Sequence, residues 1–367
     1  MIKTKKNLVI FMPFIEIGGV EKNLFIISNY LIKKVKNLSI CTVSRDKKKR
    51  FNKKIKFISP NKKFSENLSI RLKYLICLFL LFKLFIKRKD FVVVSFQANI
   101  YCILLCKLFK IQIIVRANSS PSGWSHNVFK RYIYKKVISM ANEVIVNSED
   151  FKKEIEKKFN IKVKCIFNPL NTKEIIKKSN IDLKNKFFKK NYLKIINIGR
   201  LTEQKDHLTI LKAINELKNK INVQLIIIGR GKEKSNLMSY INENKLYNVI
   251  KIIKPNTKVY SYLRLSDLFI LSSRYEGLPN VLLEAGVLKK FIISTNCPTG
   301  PREILDNGKN GLFFKTGDFL DLKKKIIFYN INKKRLKQKT NNLYKSLSKY
   351  NFNLNLNKYW KVIDNYI

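Results

Sequence analysis

The chain has 367 residues, enough for two domains, and 46% of them are hydrophobic, enough for two buried cores. Lys and Arg together number 75 against 25 Asp and Glu, so the net charge at pH 7 is +50. The two histidines exclude a histidine-rich metal site, and the six scattered cysteines favour the reduced thiols of a cytoplasmic protein.

The positive charge is expected to attract the phosphates of nucleic acids, anionic lipids or nucleotide ligands. Lys, Asn, Ile and Phe are abundant together, as in A+T-rich coding sequences, so part of the lysine excess is interpreted as compositional drift. A basic nucleic-acid-binding protein is an alternative of a different class. It would require a basic stripe with interleaved aromatics or a known binding module, and the sequence contains neither.

The N-terminal sequence MIKTKKNLVIFMPF is interpreted as the first strand, because its apolar run is too short for a signal peptide and continues into a Gly-Gly turn. No stretch reaches the length of a membrane-spanning helix. The closest, at 74–86, is interrupted by Lys83 and is expected to form a buried or membrane-surface helix. Basic residues at 71, 73 and 87–89 flank it and favour peripheral contact with an anionic membrane surface.

Short apolar segments alternate with helical patterns along both halves of the chain. The predicted strands are NLVIFMPF, NLSICTVSR, FVVVSF, IQIIVRAN, EVIVNS and VKCIFNP, then LKIINIGR, VQLIIIGR, NVIKIIK, DLFILSS and FIIST. Such alternation is typical of parallel sheets with helical crossovers. The sequence therefore predicts an α/β fold with two doubly wound parallel sheets.

The two predicted halves are separated by a stretch rich in Lys and Asn that lacks a strand pattern. The predicted organisation is a first domain at 1–172, a linker at 173–192, a second domain at 193–345 and a C-terminal helical segment at 346–367. On the terminal helix Tyr359, Trp360 and Ile363 share one face.

The most informative segment runs from 271 to 305, where one buried strand, a Gly/Pro loop, a helix and a second strand follow one another. Gly277 and Pro279 place Glu276 in the loop, Asn280 is expected to cap the helix, and Glu284 lies about one turn inside it. Two carboxylates beside free backbone N–H groups suit a ligand that has both hydroxyls and an anionic group.

The ten residues EGLPNVLLEA resemble the E-x7-E signature of retaining GT-B glycosyltransferases, the group 1 or family 4 enzymes of polysaccharide and lipid-linked glycan synthesis. The resemblance implies two Rossmann-like domains facing a cleft. The first domain would bind the acceptor, the second would bind a nucleotide-sugar donor, and the last helix would cross back to the first domain.

The resemblance also implies roles for residues of the second domain. Glu276 would act at the catalytic centre beside the transferred sugar, and Glu284 would bind the ribose hydroxyls. Backbone N–H groups around Gly277, Leu278 and Asn280 would face the sugar and the diphosphate.

The sequence GRLTEQK, which follows a predicted strand, matches the family's Arg and Lys positions at Arg200 and Lys205. These cations would stabilise the leaving diphosphate. A pair of solvated surface cations is the alternative reading. The nearby turn IIIGRGKE lacks the third glycine and the acidic residue of a dinucleotide fingerprint and is predicted to be structural.

In the first domain, Gly18 and Gly19 precede a helix and match the position of the family's glycine-rich acceptor loop, although a plain tight turn is also possible. The polar segment 115–127 contains Arg116, Asn118 and His126, a region where the family has an active-site histidine or an Arg-Asn pair. His126 is predicted either to participate in catalysis or to be a loop residue.

The predicted reaction is the retaining transfer of a hexosyl or N-acetylhexosaminyl group from a nucleotide-diphosphate sugar. The acceptor would be a glycan or a lipid-linked glycan of a polysaccharide, lipopolysaccharide or glycoprotein pathway, at the inner face of the cytoplasmic membrane. The resemblance implies no cofactor and no essential metal, in keeping with the lack of an Asp-x-Asp cluster. Another GT-B enzyme, such as a sugar-nucleotide epimerase, is the nearer alternative.

Overall fold

The computed structural model describes residues 7–16, 18–60, 68–118, 128–183, 187–297 and 299–367. The chain forms two compact units. Unit 1 comprises Met1–Pro169 with Phe352–Ile367, and unit 2 comprises Leu170–Asn351.

Unit 1 contains a seven-stranded sheet in which every neighbouring pair of strands is parallel. Its strands in chain order are β1 (Asn7–Phe11), β2 (Leu38–Cys41), β3 (Lys56–Ile58), β4 (Phe91–Ser95), β5 (Gln112–Arg116), β6 (Glu143–Val146) and β7 (Lys164–Cys165). Their order across the sheet is β3-β2-β1-β4-β5-β6-β7. The order reverses between β1 and β4, which is the arrangement of a doubly wound sheet.

Helices cover both faces of this sheet, and the alternation of side chains along a strand explains how. The helices are α1 (Gly19–Leu31), α2 (Ile70–Lys87), α3 (Asn99–Leu108), α4 (Val128–Ser139) and α5 (Glu149–Phe159). Val9 and Phe11 of β1 share an apolar cluster with α2 to α5, whereas Leu8 and Ile10 share one with α1. Burial on both faces accounts for the continuous apolar character of the strands.

Unit 2 contains a six-stranded sheet, also parallel throughout, with the order β10-β9-β8-β11-β12-β13. The strands are β8 (Leu193–Ile198), β9 (Val223–Ile228), β10 (Ile250–Ile253), β11 (Leu268–Leu271), β12 (Phe291–Thr295) and β13 (Leu312–Phe314). The helices are α6 (Thr172–Ser179), α7 (His207–Leu217), α8 (Lys234–Glu243), α9 (Val259–Leu265), α10 (Asn280–Val287), α11 (Pro301–Ile304), α12 (Phe319–Ile331) and α13 (Lys333–Ser346). The predicted α/β fold with two doubly wound parallel sheets is confirmed.

The segment predicted as a linker begins with helix α6, which packs in unit 2. Ile175 of α6 is buried, and the Arg264 Nε of α9 donates to the Ser179 carbonyl at 2.8 Å. The Ser261 hydroxyl donates to the Ile181 carbonyl, also at 2.8 Å. The structural division of the chain therefore falls before α6, at Pro169–Leu170.

The last helix, α14 (Phe352–Asp364), belongs to unit 1 although it follows unit 2 in the chain. Its Tyr359 and Ile363 are buried in the apolar cluster that contains α1. The Tyr359 hydroxyl accepts a hydrogen bond from the buried Arg116 Nε at 2.9 Å. Within the part of the chain that the structure describes, no helix is both long enough and apolar enough to cross a membrane.

Candidate functional site

The carboxyl ends of β8 and β11 form the point in unit 2 where the strand order reverses. Open α/β sheets bind ligands at such a position, because the loops that follow the two strands diverge there. The β8–β11 ladder pairs Ile196 with Phe269, and one step further the Asn197 side chain donates to the Ile270 carbonyl at 2.8 Å. The Asn197 side chain thus links β8 and β11 at the point where their backbone pairing ends.

An ion pair joins the two loops that leave this point. Lys205, seven residues after the end of β8, contacts Oε1 of Glu276 in the loop after β11. The side chains are only 16% and 8% exposed, respectively. The Ser273 hydroxyl donates to the same Oε1 at 2.6 Å. Glu276 is therefore an acceptor held by two donors, in a site largely removed from water.

Further hydrogen bonds hold the two loops together through their backbones. The Ser272 hydroxyl donates to the Lys205 carbonyl at 2.7 Å. The Arg274 N–H donates to the Gln204 carbonyl at 2.8 Å, and the Gln204 side-chain amide donates to the Tyr275 carbonyl at 2.9 Å. These bonds fix the separation of the ammonium and the carboxylate, because both residues lie in segments tied at the backbone.

The last residue of β12 and the loop after it contact the Glu276 loop from the other side. Thr295 donates to the Ser273 carbonyl at 2.7 Å, and Thr299 donates to the Glu276 carbonyl at 2.6 Å. Gly300 has a φ of +39°, and a Cβ there would overlap the Gly277 carbonyl oxygen. Neither threonine was singled out from the sequence, although polar residues directly after a buried strand could have indicated them.

Cys297 is a further buried residue beside the carboxylate. Burial raises the pKa of its thiol to about 12, and the negative charge of Glu276 acts in the same direction. The residue therefore remains a neutral thiol at physiological pH.

The helix after Glu276 begins at Asn280, so Asn280 is its first residue and Pro279 occupies the cap position. The expectation that Asn280 caps this helix is wrong, because proline already supplies the extended backbone that ends the loop. Leu278 and Glu284 are buried, and Glu284 is the fifth residue of α10. The predicted positions of Glu276 in a loop and Glu284 one turn inside the helix are confirmed.

His207 lies at the start of α7, two residues after Lys205, and is almost fully buried. Neither ring nitrogen has a hydrogen-bond partner among the described residues. Burial, together with the positive charge of Lys205, lowers the pKa of His207 to about 4. A Cβ built on Gly199 would lie 3.8 Å from its Nε2, so the neutral imidazole packs over the end of β8.

Arg200 lies two residues after the end of β8 and differs from Lys205 in its surroundings. Its side chain is exposed, and no ion pair or hydrogen bond of its guanidinium is found within the described ranges. The structure thus brings Lys205 to Glu276 and leaves Arg200 open to solvent. A guanidinium in this position has all its donors free for an anionic ligand.

A cavity of about 470 Å³ opens beside these loops in unit 2. Thr202, Asp206, His207, Arg274 and Tyr275 contribute to its lining. Lys205 and Glu276 are not among the lining residues. We therefore do not assign this cavity to the same ligand as the ion pair.

In unit 1, Gly18 and Gly19 follow β1 at the corresponding reversal of strand order, and α1 begins at Gly19. Gly18 has an extended backbone with a φ of −172°, and the nearest neighbour of an added Cβ would be the flexible end of Glu21, at 2.7 Å. The backbone conformation itself does not require glycine at position 18. Both glycines are exposed.

Only the first part of the polar segment 115–127, up to Asn118, lies within the described residues. Arg116 is buried, contacts the Asn118 side chain and donates to Asn168 Oδ1 at 2.7 Å as well as to Tyr359. Arg116 and Asn118 are thus part of the interior of unit 1. His126 lies outside the described residues. Within the described ranges, no group of three or more His, Cys, Asp or Glu residues is arranged to hold a metal ion.

Comparison with known proteins finds a family match for the second half of the chain. Residues 178–346 match the model of the family described as Glycosyl transferases group 1. An uncharacterized glycosyltransferase of Methanocaldococcus jannaschii is 34% identical over 218 residues, which is 55% of this chain and 53% of that protein.

A second relative is the N-acetylgalactosamine-N,N'-diacetylbacillosaminyl-diphospho-undecaprenol 4-alpha-N-acetylgalactosaminyltransferase of Campylobacter jejuni. It is 26% identical over 224 residues, or 58% of this chain and 59% of that protein. The chain thus spans between half and three fifths of the length of these curated relatives.

Among solved structures, HepE of Anabaena in complex with UDP and glucose has a TM-score of 0.80. The similarity covers 98% of this chain and 100% of that chain at 13% sequence identity, and at this identity it concerns the fold. The family matches and the two-sheet fold agree with the resemblance carried by EGLPNVLLEA. Residues 178–346 thus match the group 1 glycosyltransferases, and the fold of the chain is similar to that of solved GT-B structures.

Proposed function

We propose that the protein is a retaining glycosyltransferase that moves a hexosyl or N-acetylhexosaminyl group from a nucleoside-diphosphate sugar to a glycan or lipid-linked acceptor. The single observation that carries this proposal is the buried Lys205–Glu276 pair at the strand-order reversal of unit 2. It combines a cation for a phosphate with a carboxylate for sugar hydroxyls in one rigid site.

Lys205 and Arg200 would stabilise the diphosphate as the glycosidic bond breaks. An ammonium group has three donors, and Glu276 Oε1 occupies one of them, so two remain for phosphate oxygens. Arg200 adds an exposed planar guanidinium suited to bidentate contact. Positive charge fixed where negative charge develops lowers the barrier, because it interacts more strongly with the transition state than with the bound donor.

Glu276 would hold the transferred sugar at the catalytic centre. Its Oε1 receives Lys205 and Ser273, whereas its Oε2 receives no hydrogen bond from the described residues. An ionised carboxylate can only accept, so Oε2 is suited to sugar hydroxyl donors. This assignment makes Glu276 a holder of the sugar, and no covalent nucleophile enters the proposed mechanism. Transfer with retention then proceeds on the front face, assisted by the leaving phosphate.

The nucleoside part of the donor would lie along the start of α10. Glu284 would accept hydrogen bonds from the ribose hydroxyls, and the backbone N–H groups of Gly277, Leu278 and Asn280 would face the sugar and diphosphate. The positive end of this helix supports the assignment, because helix N-termini favour anions. The Arg200, Lys205, Glu276 and Glu284 side chains would then act on different parts of one donor molecule.

Unit 1 would bind the acceptor. Gly18 and Gly19 at the N-terminus of α1 allow a substrate to approach the backbone, and His126 is our candidate for a catalytic participant on this side. The relative from C. jejuni carries a diphospho-undecaprenol substrate in its name. We infer that the acceptor here is likewise linked to a lipid carrier, and that the reaction takes place at the inner face of the cytoplasmic membrane.

The proposal is tested with the full chain and a panel of UDP- and GDP-sugars, by measuring nucleotide release with and without lipid-linked acceptors. K205A and E276Q should each lower turnover about 100- to 1000-fold, the usual loss when one group that stabilises developing charge is removed. The matched controls K324A and E216Q alter surface residues of unit 2 and should keep full activity.

Three outcomes would contradict the proposal. Full activity of both K205A and E276Q would remove the site assignment. Donor turnover that never depends on an acceptor would favour a sugar-nucleotide epimerase. Tight binding of nucleic acid at physiological salt, with no turnover of any nucleotide sugar, would favour the nucleic-acid-binding class.

A further inference from the structure

Three consecutive helices of unit 1 expose an unusual amount of apolar surface. Helices α2, α3 and α4 pack on the same face of the first sheet, and their buried sides form one cluster with it. Their outward sides carry large apolar residues, which together define the α2–α4 surface: Leu72, Leu75, Phe79, Phe82 and Ile86, then Tyr101, Leu104 and Leu108, then Phe129, Tyr132 and Ile133.

The outward residues of α2 follow a helical repeat. From Leu72 to Ile86 they recur at alternating intervals of three and four residues, which aligns them on a single face of the helix. A different face, with Cys77, Leu81 and Phe85, packs against the sheet. Helix α2 therefore has one apolar face that is buried in the core and a second that remains exposed.

The stripes of the neighbouring helices continue that of α2. Tyr101, Leu104 and Leu108 repeat the interval of three and four on α3, and Leu108 is 75% exposed. The Phe82 ring of α2 lies 5.5 Å from the Phe109 ring at the end of α3. Because α3 contacts both α2 and α4, the three exposed stripes lie on neighbouring helices. Contiguous exposed apolar areas usually mark an interaction site.

The charge on these helices has a single sign. They contain no Asp or Glu and nine basic residues: Arg71, Lys73, Lys83, Lys87, Lys107, Lys130, Arg131, Lys135 and Lys136. The Lys83 ammonium lies 4.5 Å from the centre of the Phe79 ring, and the Lys136 ammonium lies 5.4 Å from that of Tyr132. Basic side chains therefore lie beside the apolar stripes of α2 and α4, the two helices that contain most of the basic residues.

The combination of exposed apolar residues with basic side chains favours an anionic bilayer over an apolar protein as the partner of this surface. A bilayer surface presents lipid phosphates beside hydrocarbon, so it matches long basic side chains whose stems lie along apolar residues. Each basic residue near such a surface adds to the electrostatic attraction. A protein partner would need acidic groups in the same close alternation with an apolar face, and a second copy of this surface would meet its own positive charge.

We propose that the α2–α4 surface docks unit 1 on an anionic phospholipid bilayer. The apolar stripes lie in the headgroup and upper acyl region, with the helices parallel to the membrane plane and the basic side chains at the lipid phosphates. Docking would bring the candidate acceptor-binding unit to a lipid-linked substrate. It requires neither donor nor acceptor, so its test is independent of the proposed transfer reaction.

The test is co-sedimentation of the full chain with phosphatidylcholine vesicles containing either no anionic lipid or about one third phosphatidylglycerol. The wild type should bind the anionic vesicles, bind neutral ones at least tenfold more weakly, and be released by high salt. The L75S/F79S variant should bind anionic vesicles at least tenfold more weakly, and K135E/K136E should lose most of its binding.

Matched controls are Y247S/I331S, which removes exposed apolar residues of unit 2, and K324E/K334E, which makes the same change of charge there. Both should bind like the wild type, and unchanged thermal melting should show that all variants fold. Equal binding by L75S/F79S and wild type, or no binding to anionic vesicles, would overturn the proposal. Loss of a dimer in L75S/F79S, without any vesicle binding, would assign the surface to a second copy instead.

Discussion

The Lys205 ammonium and the Glu276 carboxylate depend on each other for stability as well as for any chemistry. Both are largely buried, so removal of one partner leaves a charge without compensation, which costs about 3–5 kcal/mol for a fully buried pair. A loss of activity in K205A could therefore arise from unfolding alone. The double variant K205M/E276Q separates the two effects, since it removes both charges. We expect its thermal stability to exceed that of either single variant, while donor turnover remains lost.

A second residue with a measurable effect on stability is His207. Its pKa is about 4 in the folded protein and 6.5 ordinarily, because burial and the Lys205 charge disfavour the protonated imidazole. As the pH falls below 6.5, the unfolded chain binds a proton that the folded chain accepts only near pH 4. The free energy of unfolding should therefore decrease, by about 2 kcal/mol at pH 5 relative to pH 8.

Chemical denaturation of wild type and H207L between pH 8 and pH 4 measures this contribution. All other ionisable groups are common to the two proteins, so the difference between the curves reports His207. We expect H207L to lack this component, and to be no less stable than wild type at pH 8, because neither ring nitrogen has a partner among the described residues. Parallel curves for the two proteins would show that His207 titrates normally.

At the scale of elements, the loop between β12 and α11 sets the shape of the candidate site. G300A should be severely destabilising, by more than about 2 kcal/mol, because the new Cβ meets the Gly277 carbonyl and φ is positive. Gly317 also has a positive φ, +78°, but has no atom within 4 Å of an added Cβ. G317A is therefore the matched control and should cost about 1 kcal/mol.

The readouts for G300A are the melting temperature and donor turnover. A melting temperature of unit 2 within 2 °C of that of G317A would contradict the close approach of the two loops (for a domain the size of unit 2, about 1 kcal/mol shifts the melting temperature by 2–4 °C). Because Thr299 donates to the Glu276 carbonyl, we also expect any folded G300A to have lower turnover than G317A.

Most helices and strands can be predicted from local sequence patterns. The elements that cannot are short or lie at the edge of a sheet. The strands β3 and β13 have only three residues each and lie at the edges of their sheets, so neither shows a run long enough to predict. Helix α6 lies in the stretch predicted as a linker, because that stretch is rich in Lys and Asn and lacks a strand pattern. Its burial depends on Ile175, a single apolar residue whose partner helix α9 lies far along the chain.

At the scale of the whole chain, α14 returns to the unit that the chain left at Pro169. The segment that follows Pro169 lies beside the segment that precedes α14, because the Leu170 N–H donates to the Tyr350 carbonyl at 3.0 Å. Arg116 then contacts Tyr359, a residue 243 positions away, with amide and hydroxyl acceptors as its partners. Unit 1 thus needs the last sixteen residues of the chain to complete its core.

This dependence predicts that Y359F weakens unit 1. Loss of the hydroxyl leaves a buried guanidinium N–H without its acceptor, which costs about 1–3 kcal/mol. Hydrogen exchange should increase in β1 and β5 and stay unchanged in β8 and β9, whereas Y247F, at an exposed tyrosine of unit 2, should change neither. Equal loss of protection in both units would contradict the assignment of α14 to unit 1.

The sequence by itself determined the fold class, most of the strands and the resemblance of the second half to glycosyltransferases, because these depend on apolar periodicity and on one contiguous motif, EGLPNVLLEA. It also placed Glu276 in a loop and Glu284 in a helix. The tertiary structure decided that Lys205 and Glu276, 71 residues apart, form one buried pair, and that three helices share an exposed apolar and basic surface. Local patterns determine how each segment folds. Contacts between residues far apart in the chain depend instead on strand order and helix packing, which bring these residues to the same edge or face.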